Sequence, residues 1–264
     1  MYPILHQLFA DIETGKDFTC FGFWHFFYMS LTVVSIVLLS RWLRKKDQDS
    51  KNKILNALIL APFLLYMADF FLMPFAYGEI DVDKLPFHAC TGMSIACFAS
   101  SHVKWLKKFR INFAMLALVT NLIYLCYPSG VMAYEIHPLS YRVIQTMLFH
   151  SSMAVACFMV LMYDEHALQV RNCYRDLILL VGMTVWAFIG NTLYSGSAGD
   201  YNHDFNWFFI RQDPLNILPE AVASYVAPVM NIAVFFLTAL ILYGIFGKIR
   251  SGRKQNTAAV TVTA

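Results

Sequence analysis

A thiol and an imidazole are the two groups in this sequence best fitted to act together on a carbonyl. The thiol is Cys90, in Leu85-Pro86-Phe87-His88-Ala89-Cys90-Thr91-Gly92. The imidazole is His150, in Phe149-His150-Ser151-Ser152-Met153. A sulfur nucleophile needs a base within hydrogen-bond reach, and the base works best when a third group orients it. His88 is poorly placed for that work, because positions i and i+2 of a helix point to nearly opposite sides. His150 belongs to another apolar stretch and is the better base. Gln145 and Thr146 lie about one turn away, and Asp69 or an amide is available as the orienting group. Cys90 follows Pro86, which suits a first helical turn, and the positive end of a helix favours thiolate.

Other polar groups fall at a similar depth in apolar stretches. His25 lies roughly 10 Å, Cys90 roughly 6 Å and His150 roughly 13 Å from the same end of their helices at 1.5 Å per residue. Asp69, Asn121, Gln145, Asn191 and Asn231 fall in the same half. Ionisable groups in hydrocarbon are costly, so their clustering points to a shared polar chamber in the outer half of a bilayer. The plainer reading is a set of separate interhelical hydrogen bonds.

The elements that must position these groups are transmembrane helices. Of the 264 residues, 58% are hydrophobic and 14% charged, against about 25% charged in soluble domains. Apolar runs fall at roughly 18–42, 54–76, 86–103, 109–127, 141–163, 174–195 and 217–246, near the 20 residues or so that cross a bilayer. The expected fold is an all-α, seven-helix membrane bundle over 18–246, with an extracytoplasmic N-terminus (1–17) and a basic, disordered cytoplasmic tail (247–264). All Lys and Arg except Lys16, Lys84, Arg142 and Arg211 fall after runs one, three, five and seven. Basic residues resist translocation, so that side is cytoplasmic, as in a multi-pass protein of the cell membrane. The net charge of +3 comes from those loops and implies no nucleic-acid partner. The segment from Gly196 to Pro214 reads as a wet loop with an aromatic foot, Trp207-Phe208-Phe209, rather than a lid. Six cysteines without paired spacing argue against a disulfide framework.

The LPFHAC segment, the FHSSM segment and Asn191 at the end of the sixth run resemble the YwaF-like bacterial membrane proteins, which are similar to the animal transmembrane protein 164. The likeness spans roughly 54–246. It implies a lipid acyltransferase whose essential Cys and His match Cys90 and His150. More distantly the chain resembles seven-helix fatty-acid ester hydrolases that use a Thr–His pair. The loop after Asn191 is longer and more polar than the family's compact aromatic motif.

The resulting expectation is an acyltransferase or ester hydrolase with Cys90 and His150 catalytic. Asp69, His88, Gln145, Asn191, Asn231 and His25 line or orient the site. Membrane lipids are the substrates, and no cofactor or metal is called for. One alternative is a transporter or receptor that binds a small solute in the same chamber. A zinc hydrolase built from His25, Asp69, His88 and His150 is a further one, without the spacing such sites use.

Overall fold

The computed structural model describes Ile4, Gln7, Phe9 and residues 17–77, 82–132, 136–166, 168–194, 206–211 and 219–262. Among these residues there is no strand, and the chain is built from helices. We label the long ones α1 (Phe23–Arg44), α2 (Gln48–Tyr77), α3 (Ala89–His102), α4 (Arg110–Cys126), α5 (Tyr141–Tyr163), α6 (Cys173–Tyr194) and α7 (Glu220–Val262). Six of them are long and apolar enough to cross a membrane.

Helix α3 is the exception. Its 14 residues span about 21 Å, short of the roughly 30 Å hydrocarbon thickness. The apolar run at 86–103 is longer than the helix because both its ends leave helical geometry. His88 caps the start with extended backbone (ψ 141°), and Val103 is extended at the finish (ψ 115°). Short 3₁₀ turns, Val82–Lys84 and Lys107–Phe109, lie beyond the two ends.

Cross-helix bonds show which helix ends meet. At one end Tyr163 donates to the Ser40 carbonyl, Gln48 to the Tyr163 carbonyl, and Arg250 to the carbonyls of Leu161 and Asp164. At the other end His25 meets the Leu125 carbonyl, Phe18 N–H the Ile136 carbonyl, and Asn231 the Phe208 carbonyl. The basic segments therefore gather at one end of the bundle, the basic end, and Cys90 sits toward the other.

Helices α4 and α5 form the centre: 72% of each apolar span is buried, against 17% for α1 and 28% for α2, α6 and α7. The outer helices instead expose rows of large apolar side chains, such as Leu31, Val34 and Leu38 on α1 and Ile178, Val185 and Phe188 on α6. In water such a surface would be untenable; acyl chains solvate it. At the start of α2, Asp47 Oδ1 accepts from Ser50 N–H (2.9 Å) and Oδ2 from its hydroxyl (2.7 Å), bonds that hold this carboxyl below the usual carboxylate range. The backbone of α7 stays helical through Val262.

Candidate functional site

Cys90 is the second residue of α3 and is partly exposed. The first N–H groups of a helix have no helical acceptor. The Thr91 hydroxyl lies 3.9 Å from the Cys90 sulfur. The start of a helix can receive the negative charge of a tetrahedral intermediate.

An aromatic stack fixes the segment that carries this sulfur. Phe87 lies between Trp186 of α6, at 4.9 Å between ring centroids, and Trp207, at 4.8 Å. The Trp186 indole donates to the Pro86 carbonyl at 2.9 Å. Gly190 makes the close approach possible, since a methyl group there would collide with the Phe87 ring. Trp207 in turn is held by Asn191, which accepts from its N–H (2.9 Å) and donates to its carbonyl (3.1 Å). Asn231 donates to the carbonyls of Phe208 and Phe209, both at 2.9 Å. These two Phe residues adopt left-handed backbone (φ 58° and 52°). The Trp207-Phe208-Phe209 turn is thus a peg in the bundle, with Trp207 and Phe208 fully buried. Its aromatic residues were visible in the sequence, but its insertion was not.

His150 is buried on α5. Its Nδ1 lies 2.8 Å from Asn121 Oδ1 on α4. Asn121 Nδ2 donates to the Ala117 carbonyl at 2.7 Å, which fixes the amide's orientation. The oxygen facing His150 can only accept, so Nδ1 carries the proton and Nε2 keeps a basic lone pair. The ring stacks on Tyr124 at 3.7 Å between centroids and 10° between planes. The Tyr124 hydroxyl lies within electrostatic range of Cys90. Tyr66, whose hydroxyl donates to the Lys84 carbonyl at 2.6 Å, is in range of both Cys90 and Asp69. His88 and Lys84 are in range of His150. His150 is thus linked toward Cys90 through Tyr124, and α3, α4, α5 and α2 carry Cys90, Tyr124, His150 and Tyr66 in turn.

Other residues singled out from the sequence have partners that define them differently. Asp69, buried on α2, pairs with Lys84 Nζ at 2.8 Å. His25 uses both ring nitrogens: Nδ1 accepts from Phe21 N–H (2.8 Å) and Nε2 bonds the Leu125 carbonyl (2.6 Å). It ties the start of α1 to the end of α4. Gln145 is buried a turn before His150, and the Thr146 hydroxyl donates to it at 3.4 Å. Asn121, on a helix far from His150 in sequence, has only its matching depth to suggest that it is the third group. No three His, Cys, Asp or Glu residues among those described come close enough together to hold a metal ion.

A model of the TMEM164 family matches residues 20–250 of the chain. The chain belongs to the TMEM164 family. That match, with the six apolar spans, makes it a multi-pass helical membrane protein. Of the Cys90, His150 and Asn121 set, all three lie inside the TMEM164 match. No curated protein and no solved structure matches the chain.

Proposed function

We propose that this protein is a membrane-embedded lipid acyltransferase or ester hydrolase of the YwaF-like kind, working through a Cys–His thioester mechanism. In this reading α3 completes seven crossings, the N-terminus is outside, the basic end faces the cytoplasm, and the cell membrane is its site. The observation that carries the reading is the oriented imidazole: Asn121 holds Nδ1–H of His150, so Nε2 is left as a base in the neighbourhood of a helix-end thiol.

The chemistry then runs in two balanced halves. His150 Nε2 takes the Cys90 thiol proton, and the thiolate attacks the carbonyl of a phospholipid ester. The developing oxyanion faces the free N–H groups at the start of α3. Collapse breaks the ester C–O bond, and the imidazolium returns its proton to the leaving alkoxide, giving a lysolipid and an S-acyl enzyme. A second lysolipid hydroxyl, or water, gives its proton to His150 and attacks the thioester. Cys90 leaves as thiolate and is reprotonated. Asn121 is a positioning residue, and His88 and Gln145 border the reacting groups.

Intact-protein mass spectrometry after incubation with phospholipid tests this directly. One acyl adduct, removed by neutral hydroxylamine and absent from Cys90→Ala, is expected, with turnover abolished while the variant still purifies as a folded protein. Turnover retained by Cys90→Ala would overturn the mechanism. Ligand-induced thermal stabilisation by a small solute, unchanged in that variant and without turnover, would favour a transporter or receptor instead.

A further inference from the structure

A second polar site lies at the opposite end of the bundle. A cavity of about 240 Å³ opens among the start of α4, the turn after α5, the start of α6 and the late part of α7. Its polar lining is Lys108, Asn112, His166, Gln169, Asn172 and Tyr243. Lys108 forms no ion pair among the described residues. Arg175 donates to the Lys108 carbonyl at 3.3 Å, which brings a guanidinium to the same edge. His166 is fixed at the rim: Asp164 Oδ1 receives its Nδ1–H at 2.5 Å and its backbone N–H at 2.9 Å. A carboxylate only accepts, so Nε2 is the ring's remaining polar atom.

Glu165, next to His166, is exposed, but the other two nearby carboxylates are turned to the protein. Asp164 is divided between Arg110 (2.9 Å) and His166. Asp176 is fully buried and accepts from Asn112 Nδ2 at 2.9 Å. Asn112 also donates to the Asn172 carbonyl and the Tyr243 hydroxyl, so it is braced on three sides. The cavity therefore presents a cation, an imidazole and amides, with Lys104, Lys107, Arg171 and Lys248 in the surrounding segments. Basic pockets between transmembrane helices take anionic headgroups. We infer that this cavity binds a phosphate monoester, carried either on an anionic lipid headgroup or on a soluble ester. The site is separate from Cys90, and binding here does not depend on the acyl-transfer reading.

Native mass spectrometry of the full chain in neutral detergent tests the inference, with phosphatidic acid, phosphatidylcholine and glycerol phosphate as probes. Phosphatidic acid is expected to bind in preference to phosphatidylcholine. Lys108→Gln should weaken it by about fivefold, the worth of roughly one lysine at a membrane surface. His166→Gln should weaken it as well. The paired variant Lys45→Gln/Lys46→Gln, at the same end but outside the cavity, should leave binding within about twofold. Competition by glycerol phosphate would identify a soluble ester as a ligand, and its absence would assign the site to lipid. Equal binding of the two lipids, or equal losses in the cavity and control variants, would overturn the inference. So would a preference for a cationic amphiphile lost in Asp176→Asn, which would make the cavity a cation site.

Discussion

The two ends of α4 and α5 hold polar clusters of opposite character. At the basic end Arg110 and Asp164 form a buried ion pair at 2.9 Å, with side chains 8% and 3% exposed. The second oxygen of Asp164 is taken by His166, and Arg110 also donates to Asn56 at 2.7 Å. Arg250 of α7 donates to the Asp164 carbonyl at 2.6 Å. At the other end of the same helices, Asn121 and His150 are joined by one hydrogen bond that leaves an imidazole nitrogen uncommitted. A carboxylate with both oxygens engaged can hold helices together but has little left to offer a substrate. An imidazole held on one side only is rigid and keeps its second nitrogen open. Position in the bundle alone does not separate anchoring from chemistry; the lone pairs left over do.

The largest stability change expected from breaking this contrast is at the ion pair. Asp164→Ala leaves Arg110 buried without its counter-charge and should destabilise the protein by about 3–5 kcal/mol. Replacing both partners together with apolar residues of similar volume should cost much less. Thermal unfolding in detergent reads both, and equal losses in the single and double variants would show that the pair is not the anchor. Asn121→Ala should instead leave unfolding nearly unchanged while, on the proposed mechanism, turnover falls on the order of tenfold or more, part of the 10²–10⁴ that a positioned base supplies. Its pH–rate profile should shift as His150 loses its fixed tautomer. A merely structural Asn121 would move the unfolding temperature and leave that profile alone. The smallest expected effect is Gly190→Ala, which presses a methyl into the Phe87 ring at about 1–3 kcal/mol, the usual cost of overpacking. Thiol labelling of Cys90 should slow in that variant, because its segment is displaced.

The sequence made the all-helical membrane character plain, since apolar runs of span length with few charges have few other solutions. It was less informative about α3, whose apolar run outlasts its helix: hydropathy does not register the extended backbone at His88 and Val103. Among the polar residues, depth along a helix was readable but rotation about the helix axis was not. His25, Asn191 and Asn231 fall at the depth expected of chamber residues, yet their bonds go to backbone carbonyls and N–H groups of neighbouring segments. In the sequence Asn121 is one amide among several; only the place of its oxygen against His150 sets it apart. The peg at Trp207 is not legible in the sequence, because short aromatic clusters in polar loops look alike whether they rest on an interface or enter a bundle.

The sandwich of Phe87 between Trp186 and Trp207 has a consequence for the order of biosynthesis. The two slabs come from stretches about a hundred residues downstream of the Cys90 segment, and one of them needs Asn191 to keep it in place. A nascent chain that has not yet emerged past Trp207 therefore lacks one wall of the seat for its own sulfur. The surroundings of Cys90 are completed late in translation, after most of the neighbouring helices have been made.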